Sequence, residues 1–110
     1  MIELNVKNNT EINDIVNFIV TAVPALEVYI FGSYANGTAR EDSDYDFYVV
    51  VPDGLQPIET TWKIAGSIPR EVKKRRNIDM LVGTRSKFNK YRNVYSIERE
   101  VAEKGVKLYG

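Results

Sequence analysis

The sequence predicts an α/β domain of the α+β kind, with a small mixed β-sheet of three to four strands flanked by helices. Three observations predict it. Ile12, Ile15, Val16 and Ile19 recur at helical spacing. Leu26 to Phe31 and Asp44 to Val51 are short, apolar and rich in β-branched and aromatic residues, as buried strands are. Such runs then alternate with helical patterns along the whole chain, which is the order of a layered sheet-and-helix domain.

The elements follow in order. Thr10 is a suitable N-cap, so a helix is expected from Glu11 to about Val23, stopped by Pro24. Leu26 to Phe31 forms the first strand, and Gly32 to Gly37 a turn leading into a short helix or loop. Asp44 to Val51 forms the second strand, ended by Pro52, Asp53 and Gly54. Pro57 fits the first turn of a helix on which Ile58, Trp62 and Ala65 share one face. Helix continues towards Arg75 with interruptions around Gly66 and Pro69. Ile78 to Val82 is a third strand, and Ser86 to Tyr91 a short helix. Val94 to Lys104 is the last helix, with Glu100 and Lys104 as an i,i+4 pair and Gly105 as its C-terminal cap. Val106 to Tyr109 can add a short edge strand.

A chain of 110 residues suits one domain, residues 1–110, with a modest core, so an oligomer or partner fits its size. Fifteen basic and fifteen acidic residues cancel, and the balance makes no case for a long nucleic-acid ligand. The chain has neither cysteine nor histidine. That excludes thiol nucleophiles, thiolate zinc sites and any histidine base or triad. Chemistry must come from Asp, Glu, Lys, Tyr or Ser. No apolar run reaches transmembrane length, so a cytoplasmic protein without a membrane partner is expected.

The informative stretch is Gly32-Ser33, then ten residues from Tyr34 to Ser43, then Asp44-Tyr45-Asp46. Side chains two apart on a strand face the same way, so Asp44 and Asp46 form a carboxylate pair. Such a pair repels itself unless a cation neutralises it. Magnesium prefers carboxylate oxygen together with substrate phosphate, and two such ions about 4 Å apart can clamp a phosphoryl displacement. An apolar strand ending in Gly-Ser and a turn exposes backbone N–H groups to an anion, with glycine allowing close approach and Ser33 adding a hydroxyl. Asp79 interrupts an apolar strand, where an Asp needs either an edge position or a function, and it can complete a three-carboxylate site. With no histidine in the chain, Asp79 is the preferred base. Each feature alone is more often a turn, a solvated strand entrance or an edge residue. Four specified residues at ordinary usage coincide on the order of once in 10⁵ start points, which favours reading them together.

Phe31-Gly32-Ser33-Tyr34-Ala35, Gly37-Thr38-Ala39-Arg40 and Ser43-Asp44-Tyr45-Asp46-Phe47 resemble the signature of the DNA polymerase beta nucleotidyltransferase superfamily. The segment Ile97 to Tyr109 also resembles its minimal nucleotidyltransferase branch. The resemblance implies the nucleotidyltransferase fold. It implies a triphosphate, ATP as substrate, on Gly32 and Ser33, and two magnesium ions on Asp44 and Asp46 with Asp79 as third carboxylate. Relatives often carry Arg where this chain has Asn36, which leaves Arg40 as the nearby candidate for nucleotide binding. Members of that branch often act as antitoxins of HEPN-type partners, adenylylating them on tyrosine. The resemblance therefore implies transfer of AMP to an acceptor hydroxyl on such a partner. Two other readings stand beside it: a non-catalytic module that neutralises a toxin by contact, and nucleotidyl transfer to a small molecule, for which a homo-oligomer would have to build the acceptor site.

Arg70, Lys73, Lys74, Arg75 and Arg76 form a basic cluster that reads as a solvated helix end or as a contact for triphosphate, RNA or an acidic partner surface. Trp62 is expected in the core, with a partner interface as the alternative. Phe88, Tyr91 and Tyr95 read as helix-packing residues.

Overall fold

The computed structural model describes residues 6–110. Helix α1 spans Thr10–Ala22. Its cap is Asn9, whose side-chain oxygen accepts the Ile12 N–H at 2.9 Å, so Thr10 is the first helical residue and not the cap. Ile12, Ile15, Val16 and Ile19 are all buried, as their spacing requires. Strand β1 spans Glu27–Phe31, and the one-turn helix α2 spans Ser33–Asn36. Strand β2 spans Tyr45–Val51, leaving Asp44 one residue outside it.

Helix α3 spans Pro57–Ser67 and presents a different face from the expected one. Thr60 and Ile64 are buried, whereas Ile58 and Trp62 are 67% and 70% exposed. Thr60 can be buried because its hydroxyl donates to the Gln56 carbonyl at 2.8 Å within the helix. Trp62 is therefore not a core residue. The chain breaks at Ile68 and Pro69, then resumes as α4, Arg70–Arg75. Strand β3 runs over Ile78–Thr84, two residues longer than expected, because Thr84 caps the next helix by accepting the Lys87 N–H.

Helix α5 spans Arg85–Tyr91 and α6 spans Ile97–Lys104. The latter starts three residues later than its apolar pattern suggests, since the Ser96 hydroxyl accepts the Arg99 N–H and acts as its cap. Val94 and Tyr95 consequently lie in the exposed connection, Tyr95 at 98%. Phe88 packs in the core as expected, while Tyr91 and Tyr95 do not. The i,i+4 ion pair on α6 joins Arg99 to Glu103, not Glu100 to Lys104, among the described residues. Strand β4, Val106–Tyr109, closes the chain.

The sheet is mixed, in the order β3-β2-β1-β4. β1 is antiparallel to β2 and β4, and β2 is parallel to β3 across a connection carrying α3 and α4. One face, with Val28, Ile30, Tyr45, Phe47 and Val49, packs on α1 and on Ile64, Ile68 and Val72. The other face, with Tyr29, Phe31, Tyr48 and Val50, packs on Phe88 and Val101 from α5 and α6. The hydroxyl of Tyr48 donates to buried Glu98 at 2.8 Å. Gly83 stands beside Tyr48 in the sheet, and a Cβ there would land on the Tyr48 hydroxyl.

Candidate active site

The sheet register assembles the site. Phe31, the last residue of β1, pairs with Asp46, and Asp46 pairs with Asp79 on β3. Parallel neighbours in register present their side chains on the same face, so Asp46 and Asp79 stand side by side. Asp44 lies two residues before Asp46, at the mouth of the strand.

Gly32 turns the chain away immediately after Phe31. Its φ of 73° and ψ of −145° lie in a region that side chains avoid. A Cβ at this position would land on a carboxylate oxygen of Asp46. Glycine is thus required twice, by conformation and by the approach of the acid. The Gly32 carbonyl accepts the N–H groups of Ala35 and Asn36 at 3.1 and 2.9 Å, which forms α2. The N–H groups of Ser33 and Tyr34 have no partner within that single turn. Gly37, at φ 81°, ends it.

The carboxylates act on one another. The Asp46 pKa is raised to about 6, first by burial, then by its hydrogen bond with Asp79, then by the negative charges of Asp79 and Asp44. Asp44 and Asp79 are exposed. Asp46 and Asp79 are thus in contact, while Asp44 acts on Asp46 through its charge. Among the described residues no three acidic side chains are close enough together to enclose a metal ion. The oxygen donors and their repulsion do fit a hard divalent cation.

Arg40 lies in the exposed loop between α2 and β2. Its N–H donates to the Ser43 hydroxyl at 2.7 Å, its carbonyl accepts from Tyr34 at 3.5 Å, and its guanidinium pairs with no carboxylate among the described residues. Ser33 opens α2, one residue past the glycine that touches Asp46.

Much of the basic cluster is occupied internally. Lys73 donates to the Ala65 carbonyl at 3.0 Å, and Arg75 and Arg76 both bind Glu11. Glu11 also accepts the Tyr45 hydroxyl at 2.6 Å. Burial opposes ionisation of Glu11, but the bonds from Tyr45, Arg75 and Arg76 outweigh it and hold its pKa below the usual value. The ring of Tyr45 packs against Tyr34 with centroids 4.9 Å apart. Sequence reasoning missed this cluster, because Tyr45, Arg75 and Arg76 lie 34 to 65 positions from Glu11 and no local pattern links them to it. A cavity of about 170 Å³ lies on the opposite sheet face, lined by Ile64, Ile68, Ile78 and Met80, and it is separate from the acids.

Among solved structures, the chain resembles a toxin–antitoxin crystal structure with AMP-PNP, at 25% identity and a TM-score of 0.65, over 93% of this chain and 74% of that one. It resembles a variant of the toxin–antitoxin MntA–HpeT in which two Asp residues two positions apart are replaced by Glu, at 23% identity and a TM-score of 0.63, over 93% and 74% of the two chains. A third is a Sulfolobus solfataricus protein assigned as a nucleotidyltransferase, at 21% identity and a TM-score of 0.62, over 96% and 81%. No curated protein matches the chain in sequence. The nucleotidyltransferase domain family matches residues 11–108, spanning the Gly-Ser turn, Asp44, Asp46 and Asp79, the first three strands and all but the last residue of the fourth, and the chain belongs to that family.

Proposed function

We propose that this chain is a single minimal domain that transfers AMP from ATP to an acceptor hydroxyl on a HEPN-type toxin partner, acting as its cytoplasmic antitoxin. The observation that carries the reading is the in-register pairing of Asp46 with Asp79 beside Gly32. Similarity to toxin–antitoxin structures, one with AMP-PNP, supports the nucleotide and the partner. No helix among the described residues is long and apolar enough to cross a membrane.

Asp44, Asp46 and Asp79 are the residues that would hold magnesium, which when bound neutralises charge on the triphosphate and the leaving group. Gly32 allows the phosphates close to the backbone, and the Ser33 hydroxyl and N–H donate to them. Arg40 is free to reach the same phosphates. Asp79, on the edge strand and exposed, accepts the proton of the acceptor hydroxyl. The hydroxyl oxygen attacks the α-phosphorus in line, the bond to the β-phosphate oxygen breaks, and pyrophosphate leaves. The protein's contribution is position and charge.

The test is incubation of the chain with ATP, magnesium and the purified partner, followed by mass analysis for one added AMP. D44N and D46N should each abolish the addition while unfolding cooperatively. Full transfer by either variant would remove the metal assignment. One observation favours a second reading, in which the chain neutralises the partner by contact alone: the exposed Ile58 and Trp62 on α3. A D44N/D46N double variant that still protects cells from the partner would support contact, and loss of protection would support transfer.

A further inference from the structure

Arg76 makes contacts that the transfer reading does not use. It caps the C-terminal end of α4, three residues before Asp79, and its side chain is only 21% exposed. Its Nε donates to Glu11 at 3.3 Å. Its Nη1 donates to the carbonyls of Glu41 and Ser43, the latter at 3.4 Å. Its guanidinium lies over the Tyr45 ring, 5.1 Å from the centroid. Ser43 and Tyr45 are the two chain neighbours of Asp44. The Tyr45 N–H also donates to the Asn77 carbonyl at 3.0 Å, which joins the two acid-bearing segments at their entrances.

We propose that Arg76 is a positioning residue: its guanidinium clamps residues 41–45 so that Asp44 is held facing Asp46 and Asp79, and this sets the affinity of the acids for a divalent cation and its nucleotide. The inference rests on the three aspartates being the reacting site. Arginine suits the task because one planar group serves a carboxylate, two carbonyls and an aromatic face together. Lysine offers a point charge and can serve one or two of them. Arg75 is the natural control, since it binds Glu11 at 3.1 Å but makes no bond to residues 41–43.

The experiment compares R76K and R75K with the unaltered protein. R76K should remain folded by circular dichroism. Its amides at Ser43 and Tyr45, which donate to the Arg40 and Asn77 carbonyls, should exchange with deuterium about tenfold faster, and its affinity for Mn²⁺, titrated alone by calorimetry, should fall about tenfold. In the transfer assay its KM for ATP and its magnesium requirement should rise about tenfold, with a smaller change in kcat. R75K should leave all of these unchanged. Should R76K lose its cooperative unfolding transition, R76Q, which keeps a planar donor, is measured with the same expectations. Unchanged exchange and Mn²⁺ affinity in a folded Arg76 variant, or equal effects in R75K, would overturn the clamp. Exchange and Mn²⁺ binding need no turnover, so absence of transfer in the unaltered protein would count against the proposed reaction and leave the test of Arg76 standing.

Discussion

Gly32 and Asp46 show how closely the site is fitted. Replacing Gly32 by Ala places a Cβ at positive φ and drives it into the Asp46 carboxylate, two costs in one atom. G32A should lower stability by about 1–3 kcal/mol and abolish transfer, as read by thermal unfolding and the AMP-addition assay. Asp46 carries the opposite tension. It is pressed against Asp79 and within the field of Asp44, so without a cation the charged form strains the fold. D46N removes that repulsion and should raise the melting temperature of the metal-free protein at neutral pH. Added magnesium should then stabilise the unaltered protein and not the variant. A melting temperature that falls in D46N without metal would contradict the repulsion. These residues were legible in the sequence because Gly-Ser and Asp-x-Asp are local patterns. The contact between them was not, since it depends on which strand lies beside β1.

At the scale of elements, periodicity located the helices better than it oriented them. The α1 face was plain because Ile12, Ile15, Val16 and Ile19 are aliphatic and nothing competes with them. On α3 two stripes compete. Ile58 and Trp62 are more apolar than Thr60, yet Thr60 and Ile64 are the buried residues, which the threonine tolerates because its hydroxyl is satisfied inside its own helix. Removing Trp62 should therefore change stability by less than about 0.5 kcal/mol, while I64A should cost about 2–5 kcal/mol by chemical denaturation. A large loss in W62A would return that side chain to the core. The ends of α5 and α6 were blurred for a related reason. Thr84 and Ser96 set the starts through hydroxyl caps, and the apolar residues nearby do not mark them.

For the whole molecule, the sheet order and the parallel pairing of β2 with β3 are long-range facts that no local pattern encodes. Glu11 is the clearest case, tying α1 to the start of β2 and to the end of α4. Its pKa is depressed in the fold, so its contribution to stability is present above its unfolded value and is lost as pH falls through the folded one. E11Q should cost about 1–2 kcal/mol at pH 7, since bonds to a charged group are at stake. The gap between variant and parent should narrow below the ordinary carboxylate pKa and close in stronger acid, as followed by melting temperature across a pH series. A constant gap would assign the effect to packing.

The alignment of β3 with β2 has a consequence of its own. Consecutive positions on a strand look in opposite directions, so sliding β3 by a single step would swap Asp79 for Ile78 or Met80 as the neighbour of Asp46 and bury a charge among hydrocarbon. The acid pair is therefore a matter of phase, present in full or missing altogether. A one-residue deletion or insertion between Arg76 and Asp79 should silence the protein as completely as removing the aspartate itself.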